Sequence, residues 1–313
     1  MNTLIESARC SGEAVHPNLP NPVRVLSVKY VLIAAFAAAQ LVCGGVSAQS
    51  TPDTLGKIKA AKAITVAYSS DSLPFSFAGG NNEPAGYSID LCKRVIAQIG
   101  RAVGVPNLKI NWVAGSTPER LQMIASGKAD LECANTTQTL ARLANVDFSG
   151  LIFIDAGGFV VRSDSQINGF ADLSGKKIAV LKGTTTETRL NTALQRRLVN
   201  ATVIPIAEAS QGIAMLESGA ADAYAGDKIK LVGLAAQARD PTKFVLLAEE
   251  LSYEPYAMAL PRNDSALRLE VNRALTQVYI SGDIESVFGQ WLGKLGRPTG
   301  LLAAMYLLYS IPD

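Results

Sequence analysis

The sequence predicts an α/β protein of two mainly parallel β-sheets flanked by helices, and three observations carry this. Two ten-residue segments, Leu121-Gln-Met-Ile-Ala-Ser-Gly-Lys-Ala-Asp130 and Ile213-Ala-Met-Leu-Glu-Ser-Gly-Ala-Ala-Asp222, share Met, an aliphatic residue, Ser-Gly and Ala-Asp at the same offsets, 213 − 121 = 92 positions apart. The apolar runs around each copy come in the same order. The length, 313 residues with 48% hydrophobic and 18% charged, suits one large globular unit or two modest domains and excludes disorder and collagen.

In the first half, residues 63–68 form an apolar strand, 88–99 an amphipathic helix and 109–113 a strand. The helix of the first repeat stops at Ser126-Gly127, where glycine can take the left-handed cap conformation, and a short strand follows. The second half repeats this order: strand 177–181, helix 185–198, strand 203–206, a helix stopping at Ser218-Gly219, and a strand. Each half reads βαβαβ, and the right-handed crossover rule makes such a unit a parallel sheet covered by helices. Open α/β sheets bind ligands at the carboxyl ends of their strands, so two of them place those ends towards a shared cleft.

The N-terminus reads as an address. Lys29 precedes the apolar run 31–42, and Val46-Ser47-Ala48 puts small residues where signal peptidase cuts. Cleavage there leaves 313 − 48 = 265 residues in an oxidising compartment. Residues 1–23 are long for the start of a signal, as a start codon further downstream would explain. A lipoprotein signal wants a small residue at Val42, which argues against lipidation of Cys43. The run and the tail 301–308 both fall short of the ~20 apolar residues that span a bilayer.

Composition removes much chemistry. With 29 basic against 27 acidic residues and a net charge of +2, no polyanion partner such as nucleic acid is expected. The sole histidine, His16, lies in the segment to be removed, and with it go Ser-His-Asp triads, Cys-His pairs and His-based metal sites. No phosphate-binding Gly-Lys-Ser and no zinc spacing of cysteines is present, so neither a metal nor a cofactor is expected. No carboxylate pair stands out for glycoside hydrolysis. Trp112 and Trp291 read as packing residues rather than ligand platforms.

The strand ends carry the candidate site. Five positions beyond Asp130 is Asn135, opening Asn135-Thr136-Thr137; five beyond Asp222 is Asp227. Thr136 and Thr137 are positioned to cap the turn leading to Arg142, which would gather backbone N–H groups and a cation. Gly183-Thr184-Thr185-Thr186-Glu187 starts a helix, a second anion-friendly terminus, although the same residues also make an ordinary capping box. Guanidinium and N–H groups suit a carboxylate and an aspartate suits an ammonium, so together they suit a zwitterion such as an α-amino acid.

At these residues the chain resembles the periplasmic solute-binding proteins of polar amino-acid ABC transporters, and most of all the glutamate/aspartate-binding branch. The resemblance rests on Leu73-Pro74-Phe75-Ser76-Phe77, Gly86-Tyr87-Ser88-Ile89-Asp90-Leu91-Cys92, Asp130-Leu131-Glu132-Cys133, Asn135-Thr136-Thr137 with Arg142, Asp147-Phe148-Ser149, Gly183-Thr184-Thr185 and Leu216-Glu217-Ser218-Gly219. It implies the two-lobed type II binding-protein fold with two crossing strands, lobe 1 from 50–152 and 254–313 and lobe 2 from 153–253. It implies that Arg142 binds the ligand α-carboxylate with Thr137 and Thr185, that Asp227 binds the α-ammonium, and that a monomer hands the L-amino acid to ABC permease subunits without chemistry.

Two departures open the side-chain end. The acidic branch carries arginine at the position of Ser69 and histidine at that of Ala209, both for the ligand side-chain carboxylate. Arg120, after Thr117-Pro118-Glu119, matches a family arginine; it meets an acidic or amide side chain with Thr117 and Asn135, or is a solvated helix-face residue. Other polar amino acids follow glutamate and aspartate as candidates. Periplasmic cyclohexadienyl dehydratases resemble the same fold and use a cleft carboxylate as an acid, which makes them the enzymatic alternative; a sensor domain is a third. Finally, Cys92 and Cys133 are the pair left after cleavage and are expected to form a disulfide, Cys92 on the inward helix face and Cys133 ending the strand beneath it; buried free thiols are the alternative.

Overall fold

A computed structural model describes residues 53–312, so the signal segment expected over 1–48, with His16 and Cys43, lies outside the described residues. The first half holds β1 (Ala63–Tyr68), α2 (Tyr87–Ala102), β5 (Lys109–Ala114), α3 (Thr117–Ala125) and β6 (Leu131–Cys133), preceded by α1 (Thr54–Ala61). The second half holds β8 (Lys177–Leu181), α5 (Thr185–Arg196), β9 (Thr202–Ile206), α6 (Ala209–Ser218) and β10 (Ala223–Asp227). In each, the first strand is central: β1 pairs in parallel with β5 and β6, and β8 with β9 and β10.

The repeat has a physical cause. Gly127 and Gly219 take φ +70° and +72°, so each helix ends in the left-handed conformation that glycine adopts without strain. The aspartate three residues on stitches the next strand to the first. Asp130 Oδ2 accepts from Thr65 N and Asp222 Oδ2 from Lys177 N, both at 2.8 Å.

The two parallel groups are not separate sheets. They join in one nine-stranded sheet, order β5-β1-β6-β12-β7-β10-β8-β9, because two long antiparallel strands run between them: β7 (Asp147–Arg162) and β12 (Ser252–Leu260), with β11 (Phe244–Leu246) also on β7. These are the crossing strands that the resemblance implies. A small antiparallel sheet, β2 (Asp71–Ser72), β3 (Ser76–Ala78) and β4 (Pro84–Ala85), was not foreseen, since its strands are two or three residues long.

The helix expected over 88–99 runs one turn further as α2 and buries Leu91, Cys92, Val95, Ile96 and Ile99, a 3.6-period face. That expected over 185–198 ends at Arg196, and Leu198 has φ +55°. Between the halves and the C-terminus lie α4 (Leu140–Leu143), α7 (Lys228–Ala235), α8 (Ser265–Ser281), α9 (Asp283–Leu292) and α10 (Gly300–Leu308). No helix among the described residues is long and apolar enough to cross a membrane.

Cys92 and Cys133 are joined in a disulfide between α2 and the end of β6, with Cα atoms 6.0 Å apart. Both tryptophans are packing residues: Trp112 meets Tyr68 edge-on at 5.9 Å, and Trp291 meets Phe77 while donating to Asp90 Oδ2 at 2.7 Å.

Candidate functional site

Polar side chains converge where the strand ends of the two halves meet the middle of β7 and β12. Just beyond β1, the Ser69 hydroxyl donates to Asp71 Oδ1 at 3.1 Å and lies 2.8 Å from Ser72 Oγ. Asp71 Oδ2 accepts the N–H of Ala209 at 2.8 Å, the first residue of α6. Ser69 and Ala209, where the sequence departs from the acidic branch, are thus linked through a carboxylate that the sequence reading passed over.

Arg120 is no solvated residue: it is 2% exposed. Its Nε donates to Glu132 Oε1 and one Nη to Gly115 O, both at 2.7 Å, while the other Nη reaches Thr117 Oγ1 and Thr136 Oγ1 at 3.3 Å. Glu132 is fully buried in β6, and its Oε2 has no partner among the described residues. A glutamate inside a three-residue buried strand was the sequence signal for this ion pair.

Arg142 sits in α4, where the expected caps are wrong. Thr139, not Thr136 or Thr137, caps the turn, accepting from Arg142 N at 3.1 Å. The hydroxyls of Thr136 and Thr137 are instead drawn to buried carboxylates, Thr136 to Glu132 at 2.7 Å and Thr137 to Glu254 at 2.5 Å, because such groups must be hydrogen-bonded. With four residues, α4 is no anion site. One guanidinium nitrogen of Arg142 donates to Thr137 O at 2.7 Å. Burial pulls its pKa below the ordinary arginine value, and the charges of Glu132 and Glu254 pull it part of the way back.

The threonine run of α5 divides its duties. Thr184 is the N-cap, accepting from Glu187 N at 3.2 Å and donating to Leu181 O at 2.7 Å, and Glu187 accepts from Gly183 N. Thr184 therefore does the ordinary capping job. Thr185 donates to Glu254 Oε2 at 2.8 Å and lies 3.4 Å from the Thr137 hydroxyl; Thr186 donates to Asp227 Oδ1 at 3.0 Å. Glu254 on β12, missed in the sequence, is 1% exposed and also accepts from Ser252. Burial, then the charge of Asp227, pushes its carboxyl above the usual range.

Asp227 ends β10. Its Oδ2 accepts from Asn135 Nδ2 at 3.2 Å and from the Tyr256 hydroxyl at 2.8 Å, and no cation lies within ion-pair distance among the described residues. Tyr256 also approaches Asp155 Oδ2 at 3.2 Å, and Ile229 N donates to the same carboxylate at 3.1 Å. Burial, with Asp227 next, pushes the Asp155 carboxyl up to about 8. Lys230, one turn into α7, is 6% exposed; burial pulls its ammonium below the ordinary lysine value, and Asp71 and Asp227 pull it back.

The structure therefore brings Ser69, Thr117, Arg120, Asn135, Thr137, Arg142, Thr185 and Asp227 into one cluster and adds Asp71, Glu132, Asp155, Lys230, Glu254 and Tyr256. A guanidinium with donors to spare and a carboxylate without a cation can grip the two ends of a zwitterion. Among the described residues no group of three His, Cys, Asp or Glu is placed to hold a metal ion. A cavity of about 510 Å³ is lined chiefly by apolar residues such as Phe153, Ile229, Phe288 and Leu302, with Asp155, Lys228, Glu250 and Arg297 also on its wall.

Comparison with known proteins follows the same line. The model of the bacterial extracellular solute-binding proteins, family 3, matches residues 64–294. The L-glutamate/L-aspartate-binding protein of Pseudomonas aeruginosa is 30% identical over 271 residues, 86% of this chain and 90% of that one. Among solved structures, an ancestral arginine-binding protein bound to arginine is 26% identical with a TM-score of 0.67, covering 74% of this chain and 99% of its own. The ancestral amino-acid-binding protein AncCDT-1, a precursor of cyclohexadienyl dehydratase, is 26% identical with a TM-score of 0.65, covering 76% of this chain and 99% of its own.

Proposed function

Since the chain belongs to the bacterial extracellular solute-binding proteins, family 3, we propose that it binds one zwitterionic L-amino acid, glutamate or aspartate first and other polar amino acids second, and delivers it to ABC permease subunits in the periplasm. The observation that carries the reading is that Arg142, with one guanidinium nitrogen on Thr137 O, and Asp227, held by Asn135, Thr186 and Tyr256, belong to one cluster without forming an ion pair. Arg142 takes the α-carboxylate with its free donors, because a planar guanidinium offers two parallel hydrogen bonds where an ammonium cannot. Thr137 and Thr185 support that end, and their hydroxyls are shared with Glu254. Asp227 takes the α-ammonium.

In this reading 50–152 with 254–313 and 153–253 act as two lobes, with β7 and β12 as the hinge. The relative from Pseudomonas aeruginosa, named for glutamate and aspartate, supports the acidic preference. The test is calorimetry on ligand-stripped protein against the twenty amino acids. Binding tighter than ~100 µM is expected for at least one, and Arg142→Ala weakens it about 30-fold to several-thousand-fold, since a carboxylate then lies unpaired in a dry site. If no amino acid binds, or the variant binds unchanged, the reading fails.

A second reading is favoured by the likeness to AncCDT-1 and by Glu254, a cleft carboxyl whose raised pKa suits an acid. Turnover of prephenate, lost in Glu254→Gln, would establish a cyclohexadienyl dehydratase instead.

A further inference from the structure

Tyr256 stands between two carboxylates with one proton to give. Its hydroxyl is 2.8 Å from Asp227 Oδ2 and 3.2 Å from Asp155 Oδ2, and its side chain is fully buried. A tyrosine hydroxyl carries a single hydrogen, so with both carboxylates ionised the longer contact would set two oxygens together with no hydrogen between them. A proton on Asp155 supplies the missing hydrogen: Asp155 donates to the Tyr256 oxygen and Tyr256 donates to Asp227. The shorter contact and the further donors Asn135 and Thr186 mark Asp227 as the ionised member. Asp155 is buried, accepts only backbone N–H groups besides Tyr256, from Ala156 at 2.8 Å and Ile229 at 3.1 Å, and forms no ion pair among the described residues. Burial, then the charge of Asp227, raises its pKa. The other charged groups around it are Glu254, its register partner on β12, and Lys228, Glu250 and Arg297 on the wall of the cavity that it helps to line. Lys228 is engaged by Ala248 O at 2.8 Å and Glu250 at 3.8 Å.

We propose that Asp155 and Tyr256 are positioning residues for the ligand ammonium: Asp155 holds a proton in the ligand-free protein, Tyr256 passes the hydrogen bond on to Asp227, and an ammonium arriving at Asp227 sends the Asp155 proton to the buffer. This rests on the amino-acid reading above, in which Asp227 takes the ammonium. The ammonium cancels the negative charge that disfavours a second anion beside it, so Asp155 then ionises. Since the complex binds fewer protons than its separate parts, affinity rises with pH over the range in which Asp155 loses its proton.

The experiment is calorimetry on the ligand-stripped full chain at pH 7 in two buffers of different ionisation enthalpy, which counts the protons released on binding. The probes are L-glutamate and glutarate, its analogue without the ammonium; if another of the twenty amino acids binds more tightly, it and its des-amino analogue take their place. The wild type is expected to release about 0.4 proton or more per L-glutamate, as a fall in the Asp155 pKa from about 8 to about 7 produces. Asp155→Asn is expected to release less by that amount. Asp227 and Glu254 are present in both proteins, so the difference belongs to residue 155. Tyr256→Phe keeps the ring that meets Phe75 edge-on at 5.2 Å and removes only the hydroxyl. It is expected to lower the ratio of L-glutamate to glutarate affinity about tenfold, a loss confined to the ammonium end that a general loosening of the fold does not produce. Should Asp155→Asn fail to fold, that ratio decides. Equal proton release in the wild type and Asp155→Asn, or an unchanged ratio in Tyr256→Phe, overturns the inference and leaves the amino-acid reading standing. If no amino acid binds the wild type, both fall.

Discussion

Asn135 and Asp227 hold the same place in the two halves of the chain, five residues beyond the repeated aspartate, and the amide of the first donates to the carboxylate of the second at 3.2 Å. The repeat has diverged there into a donor and an acceptor that meet. Asn135→Asp turns the contact into two like charges in a partly buried site, where such repulsion is weakly screened. The variant should bind amino acids at least about tenfold more weakly at neutral pH, a difference of about 1.4 kcal/mol, and recover towards acid pH as one carboxyl gains a proton. Calorimetry at both pH values checks it.

Arg120 and Glu132 form a buried pair, 2% and 0% exposed, at 2.7 Å. Removing one partner leaves the other charge stranded, which costs about 3 to 5 kcal/mol. Arg120→Met should therefore lower the unfolding free energy by that amount in urea titrations. Arg120→Met combined with Glu132→Leu should recover most of it. If Arg120→Met unfolds like the wild type but loses ligand affinity, Arg120 is a ligand contact rather than a strut.

What the sequence made legible follows from scale. The repeat, the strand order and the disulfide partners were visible because each is written in local wording: a glycine stop, a short apolar run, two cysteines placed to face each other. Asp227 and Arg142 were visible as candidates because one ends a strand and the other follows the turn beyond one. Glu254, Asp155 and Lys230 were not, because a single charged residue in an apolar stretch says nothing of what it meets across the fold. The cap assigned to Thr136 and Thr137 failed for the same reason. Carboxylates distant in sequence, Glu132 and Glu254, outcompete a neighbouring helical turn for those hydroxyls. One continuous sheet replaced two because β12 pairs with β6, β7 pairs with β10, and β7 and β12 pair with each other.

The Cys92–Cys133 bond spans 41 positions. Closing a loop of that size restricts the unfolded chain by about 4 kcal/mol in the chain-entropy model. Cys92→Ala with Cys133→Ala should lower stability by up to that amount, since the cavity left is small. Denatured, unreduced wild type should show no reactive thiol from this pair.

Asp155 predicts a pH dependence of stability. Its carboxyl titrates at about 8 in the fold and at about 3.9 in an unfolded chain. The raised folded value means that its contribution is complete below about pH 3.9 and is lost as pH rises through the folded value. Between these limits the folded protein binds more protons, so unfolding free energy falls with rising pH, by at most about 1.4 kcal/mol per unit. Asp155→Asn should flatten that fall. Melting temperatures of both proteins across the window measure the difference, and parallel curves would show that Asp155 does not hold its proton.

Closure around the ligand is the remaining expectation. The residues on the two sides of the site touch at separate points: Asn135 with Asp227, Thr137 with Thr185 at 3.4 Å, Thr185 with Glu254 and Tyr256 with Asp227 at 2.8 Å, Asp71 with Ala209 N at 2.8 Å, and Pro118 against Gly183. The hydrogen bonds exchange readily for water, each with a net worth of about 0.5 to 1.5 kcal/mol, so alone they hold the sides together weakly. A ligand that touches both sides favours the joined form by its differential affinity. Small-angle scattering should therefore show compaction on adding the best amino acid, and an unchanged radius at saturation would mean a rigid domain. Gly183 gives the means to block it. At φ +75°, a Cβ there would lie 2.5 Å from Pro118 Cγ. Gly183→Ala should keep the radius large and weaken binding about tenfold or more. Adding Pro118→Ala removes the clashing Cγ and leaves Cβ 4.0 Å away, so it should restore compaction in part. If it restores none, backbone strain at residue 183, not the clash across the site, is what the first variant measured.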